Sequence, residues 1–309
     1  MSQSVAKPLR TRVYVDGYNF YYGCLKGTHY KWLDLFTLFD KHVIPSILYE
    51  KGGHPIQANL EPLALKYFTA KILGAAAKAQ DSVSSQARYH TALKKLYDGR
   101  IEIIEGYYAM NTMKVKIVDP GNPRRPPREC KEIQAWKLEE KQSDVSLALH
   151  AYHDALTKSV DQVVIVTNDT DIAPALQMIR QHTKATIGLV VPTRDHTRDP
   201  NAELADHSHW VRTHITFDEL NKSQLPRVIP GRKATVKPQS WYPNPELFAQ
   251  ILELAISIRG SRSDVFKWMD EPNPYLAGQR PINLIETVEG AGSVLEYIKT
   301  WIEQNKQTS

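Results

Sequence analysis

Two runs of mostly β-branched residues end at aspartates, and that pairing narrows what this chain can fold into. Val13-Tyr14-Val15 leads into Asp16-Gly17, and Val163-Val164-Ile165-Val166 leads through Thr167-Asn168 to Asp169-Thr170-Asp171. Short continuous apolar runs read as strands buried on both faces, the kind found in parallel sheets covered by helices. The sequence between and after them alternates in the same sense. Strands are expected over 63–72, 101–108 and 185–191, and helices over 83–97, 137–157 and 172–182. Strand and helix in alternation predict a doubly wound, mainly parallel α/β sheet. Ligands of such sheets sit beyond the carboxyl ends of the strands, near the point where strand order reverses, so Asp16 and Asp169 are delivered to one edge.

A third acidic station, Asp144 in Glu139-Glu140-Lys141-Gln142-Ser143-Asp144-Val145, falls on the expected 137–157 helix, with Glu140 one turn before it. Each aspartate alone has a plain reading: Asp16 as a turn residue, Asp171 as a helix cap, Asp144 as a solvated charge. Their coincidence favours a site. Converging carboxylates repel unless cations lie between them, so Asp16, Asp144, Asp169 and Asp171 are candidate ligands for a divalent metal. Paired ions held this way activate water for phosphodiester hydrolysis. Asn19 is the candidate to orient a ligand or phosphate.

With 42% hydrophobic and 24% charged residues over 309 positions, the chain reads as an ordinary globular protein with one large and one small domain. A net charge of +5 permits an anionic partner without requiring one. Cys24 and Cys130 are too few for a disulfide framework, which suggests a reducing cytoplasm, and no run approaches the roughly 18 apolar residues of a membrane span. Lys114, Lys116, Arg124, Arg125, Arg128 and Lys131, interrupted by prolines and preceded by Tyr107 and Tyr108, form a candidate RNA track. A solvated loop is the competing reading. Lys141, beside Asp144, is a candidate phosphate contact with the same alternative.

Periodicity stops over 225–245, where Pro226, Pro230, Pro238, Pro243 and Pro245 cluster with Arg227, Arg232, Lys233 and Lys237. The expected division is a domain over 1–228, a linker over 229–244 and a small helical domain over 245–309.

Val-Asp-Gly-Tyr-Asn at 15–19, Glu-Glu-Lys-Gln-Ser-Asp-Val at 139–145 and Thr-Asn-Asp-Thr-Asp-Ile-Ala-Pro-Ala-Leu at 167–176 resemble the three signatures of the NYN domain, a branch of the PIN-like ribonucleases. The resemblance runs over roughly residues 10–226. It implies a PIN-like α/β sandwich and Mg²⁺- or Mn²⁺-dependent RNA cleavage, with Asp16, Asp144, Asp169 and Asp171 on the acidic positions and Asn19 on the polar one. Asn168 and Thr170 depart from the serine and glycine of many relatives. Farther on, Pro272-Asn273-Pro274-Tyr275-Leu276-Ala277-Gly278-Gln279-Arg280-Pro281 resembles the toxin-binding domain of Xre, MbcA and ParS antitoxins, which implies self-association or a protein partner. The leading expectation is a metal-dependent endoribonuclease whose tail assembles or regulates it, in a toxin-antitoxin or phage-defence setting. Two other readings stay open: a non-catalytic RNA-binding adaptor, and a toxin-neutralising module acting through the tail.

Overall fold

The computed structural model describes residues 7–306 except 52, 53, 56, 78 and 195. They form two compact units. The first holds the chain up to Cys24 and Leu33–Gln224, and the second holds Leu25–Trp32 and the residues from Leu225 on.

The first unit is built on a seven-stranded sheet. Its strands in chain order are β1 (Leu9–Asp16), β2 (Ala58–Ala70), β3 (Ile101–Lys116), β4 (Glu132–Lys141), β5 (Gln162–Val166), β6 (Thr186–Val190) and β7 (Trp210–Arg212). They lie in the spatial order β4-β3-β2-β1-β5-β6-β7, and every pairing except β3 with β4 is parallel. The expected α/β class therefore holds. Chain order runs one way from β1 to β3 and then returns to the other side at β5, so the switch point lies between β1 and β5. Helices α1 (Ser82–Leu96), α2 (Ser143–Leu156) and α3 (Ala173–His182) flank the sheet. Val163, Ile165, Ile187 and Leu189 are fully buried in one core with Leu147, Leu176 and Ile179.

One expectation is corrected by this topology. Residues 132–141 do not belong to the helix that carries Asp144. They form β4, paired antiparallel along the extended β3, with Tyr108 opposite Glu140 and Met110 opposite Leu138. The third strand accordingly runs to Lys116 rather than stopping at Tyr108, and Lys114 and Lys116 stand on it. Between β4 and α2 the chain turns at Gln142, a non-glycine residue with φ of 76°. Gly106 permits this turn to close against β3, since a Cβ there would lie 2.3 Å from the Lys141 carbonyl oxygen.

A buried ionic group joins the sheet to α2. Asp154 Oδ2 lies 2.7 Å from Arg12 Nη1, 2.8 Å from Lys66 Nζ and 2.7 Å from the Tyr14 hydroxyl. Removal from water pushes the Asp154 pKa up, but hydrogen bonds from Lys66, Tyr14 and Arg12 outweigh it and hold the carboxyl below its usual range.

The second unit is helical, with α4 (Pro245–Arg259), α5 (Arg262–Met269) and α6 (Val288–Lys306), and it carries a two-stranded hairpin, Val228–Ile229 with Thr235–Val236. Phe248, Ile251, Val265, Met269 and Val294 form its core. Trp32 is fully buried in this unit: its Nε1 donates to the Pro226 carbonyl at 3.0 Å and its ring meets Trp241 edge-on at 6.0 Å.

Candidate active site

At the carboxyl ends of β1 and β5 the sheet opens into a cleft of about 280 Å³, lined by Asp16, Asn19, Glu140, Asp144 and Asp169 together with Tyr18, Tyr22, Tyr108 and Leu138. Asp16 ends β1 and is almost completely buried. Its Oδ1 accepts from the Asn19 backbone N–H at 2.9 Å, and its Oδ2 accepts from the Thr167 hydroxyl at 2.7 Å. Burial raises its pKa, and these hydrogen bonds oppose the rise. The chain leaves β1 through Gly17, where a Cβ would stand 2.5 Å from the Phe68 carbonyl oxygen, so only glycine allows this exit.

Thr167 also accepts from the Asp169 N–H at 3.1 Å, which ties the two strand ends together, and Asp169 in turn accepts from the Asp171 N–H at 3.0 Å. Asp144, in the first turn of α2, has its pKa raised to about 6, first by burial and then by Asp16, Asp169 and Asp171. Glu140 reaches the cleft from β4. Ser143 hydrogen-bonds one of its oxygens and Tyr108 donates to the other at 3.2 Å, while burial raises its pKa. Tyr18 and Tyr22 form an aromatic wall with ring centroids 4.4 Å apart.

The cleft thus gathers Asp16, Asn19, Asp144 and Asp169. Asp171 is exposed behind them, outside the lining. Asn168 faces away, its amide donating to the Asp199 carbonyl and accepting from the Asn201 N–H. Thr167, though it opens the third motif, and Leu138 were not singled out: a threonine just after an apolar strand looks like any β-former, and Leu138 lay on a segment read as helix.

The basic residues are not gathered. Lys116 pairs with Glu132 at 2.8 Å, Lys114 meets the same carboxylate at 3.7 Å, Arg125 pairs with Asp119 and Arg128 with Glu129. Lys141 pairs with Glu139 at 3.0 Å, on the face of β4 opposite Glu140. Arg124 and Lys131 are exposed.

Comparison with known proteins sets these features in a family. An NYN domain model matches residues 65–212, and the antitoxin Xre/MbcA/ParS C-terminal toxin-binding domain matches 254–301. A protein of Pseudomonas putida (strain DSM 28022 / S16) is 64% identical over 304 residues, spanning 98% of this chain and 97% of its own length. It is named 6-hydroxy-3-succinoylpyridine 3-monooxygenase HspA. This chain belongs to the HspA family. A crystal structure of a Vibrio parahaemolyticus protein of unknown function is also similar, at 16% identity and a TM-score of 0.39, covering 70% of this chain and 98% of that one.

Kinship to HspA overturns the expected chemistry. A full-length relative named as a monooxygenase conflicts with an Mg²⁺- or Mn²⁺-dependent ribonuclease, with a hydrolase of any kind, and with those metals as its cofactors. The NYN match supports the fold, and a fold does not by itself fix a chemistry. Among the described residues no three His, Cys, Asp or Glu side chains are grouped as a metal site. The cleft lining, among the described residues, carries four carboxyl groups and no cation, so it offers no partner to a nucleotide's phosphates.

Proposed function

We propose that this chain is a monooxygenase that places one oxygen atom of dioxygen at carbon 3 of a 6-hydroxypyridine bearing a succinoyl group. The observation that carries this reading is the 64% identity to HspA across nearly the whole of both chains. Carbon 3 carries the succinoyl group, so the C3–acyl bond breaks as the C3–O bond forms. The acyl fragment leaves as the aldehyde and the other oxygen atom leaves as water. The four electrons and four protons this takes come from two equivalents of a soluble two-electron donor such as a reduced nicotinamide and from solvent.

The acidic cleft is our candidate for the proton chemistry. In such a ring the 6-hydroxyl stands para to carbon 3, so taking its proton raises electron density where the new oxygen arrives. Asp144, poised near 6, is ionised at neutral pH and is the base we assign to that proton. Asp16, fixed by Thr167 and Asn19, holds its charge beside Asp144 and keeps it basic. Tyr18 and Tyr22 offer aromatic faces to the ring.

The test is turnover of 6-hydroxy-3-succinoylpyridine by purified protein with a reduced nicotinamide under ¹⁸O₂. One ¹⁸O atom in the product, with Asp144→Asn slower by about 10²–10⁴-fold, supports both the reaction and the site. No oxygen uptake with any two-electron donor sinks the reaction; full activity in Asp144→Asn sinks the site.

For the second unit we propose a protein-contact role, supported by its match to a toxin-binding domain and by Tyr275, which is 81% exposed. Light scattering across a concentration series tests self-association, and a mass fixed at 35.2 kDa would argue against it.

A further inference from the structure

A second cavity, of about 680 Å³, opens at the opposite end of the sheet, where the strands begin. Asn59 lies in the first residues of β2, Arg100 immediately precedes β3, and Gln162 and Trp210 open β5 and β7. The length of β1, roughly 20–25 Å, separates it from the acidic cleft. Its volume lies in the range of small-molecule sites.

The wall is fixed by packing and hydrogen bonds. The Trp210 indole lies across Gly188, where a Cβ would come within 2.0 Å of the ring. Trp210 Nε1 donates to Gln162 Oε1 at 3.1 Å, and Gln162 Nε2 donates to the Thr11 hydroxyl at 3.0 Å. Tyr49 adds a second aromatic side chain to the lining.

Arg100 is the unsatisfied part of this wall. Its guanidinium sits 4.6 Å over the Phe36 ring, and its buried Nε–H has no hydrogen-bond partner. Among the described residues no carboxylate pairs with it. Asp40, the carboxylate in the lining, is held by Lys41 at 2.6 Å. A half-buried guanidinium with one buried N–H left without an acceptor and no paired carboxylate is costly, and the group best shaped to face its remaining N–H groups is a carboxylate, which accepts two guanidinium N–H groups at once. We propose that this cavity binds a small aromatic carboxylate, with the acid on Arg100 and the ring against Trp210 and Tyr49. The site is independent of the reaction assigned to the acidic cleft.

The probes are nicotinate and its neutral amide, nicotinamide, titrated calorimetrically into the full chain. Nicotinate is expected to bind at least tenfold more tightly than nicotinamide, and Arg100→Gln to weaken nicotinate tenfold or more. Leu48, 98% exposed in the lining, gives a second variant with no packing to lose. Leu48→Glu is expected to weaken nicotinate severalfold and leave nicotinamide unchanged, and this variant decides the matter if Arg100→Gln does not fold. Equal affinity for the two probes, no heat at millimolar nicotinate, or nicotinate binding that survives both substitutions would overturn the proposal. So would binding lost in Asp144→Asn and retained in Arg100→Gln, because the ligand would then sit in the acidic cleft.

Discussion

Replacing Asp144 by asparagine is expected to make the protein more stable at pH 8 and only slightly more stable at pH 4. The carboxyl is raised from 3.8 to about 6 on folding, because burial and the charges of Asp16, Asp169 and Asp171 disfavour its ionised form. Below pH 3.8 the folded and unfolded chains both hold the proton and nothing is lost. Between 3.8 and about 6 the unfolded chain ionises first, so native stability falls as pH rises, and above 6 the whole penalty is in place. At 1.36 kcal/mol per unit the shift corresponds to about 3 kcal/mol. Asp144 is only half-buried, so solvent screening cuts this to about 1–2 kcal/mol. For a unit of this size that is a Tm rise of roughly 2–8 °C. Thermal melts followed by circular dichroism at pH 4, 6 and 8, in EDTA so that stray cations do not mask the charge, make the comparison. A variant no more stable than the parent at pH 8, or one equally stabilised at pH 4, would refute the reasoning.

Other substitutions follow from the same structure. Asp154→Ala leaves Arg12 and Lys66 buried without their shared partner and should destabilise by about 3–5 kcal/mol in urea titration. Because the Asp154 pKa is lowered on folding, its contribution is present above the ordinary carboxylate range and is lost as pH falls through the folded value; an acid transition unchanged in Asp154→Asn would count against this. Gly106→Ala drives a methyl into the Lys141 carbonyl and should displace Glu140 and Asp144 together, lowering activity far more than an alanine at an exposed strand position; equal turnover would mean the turn adapts. Trp32→Ala should cost the second unit about 3–5 kcal/mol, read as a lower urea midpoint for that unit.

The parts of the site that were legible in the sequence were those set by short-range pattern. The runs ending at Asp16 and Asp169 had to be buried parallel strands, and the switch-point rule then placed both residues at one edge. Glu140 was misplaced because it stands one helical turn before Asp144 and nothing local breaks a helix between them. Only the pairing of 132–141 with 107–116, a contact between distant segments, shows that the segment is a strand. Asp154 carried no signal, since its partners Arg12 and Lys66 come from two other elements more than eighty residues away. The cavity around Arg100 was hidden for the same reason: it exists only where the beginnings of several strands meet. The reaction class was not legible at all, because carboxylates at a sheet edge are compatible with hydrolysis and with proton transfer alike.

The assignment of Leu25–Trp32 to the second unit bears on how the protein is made. These eight residues leave the ribosome well before Pro226 and Trp241, which meet the Trp32 indole. At about 5–20 residues per second they wait some tens of seconds for their partners, with a tryptophan bared to whatever is nearby. Until then the early chain carries an unfinished edge that a chaperone, or the same segment of a neighbouring nascent chain, is well placed to meet first.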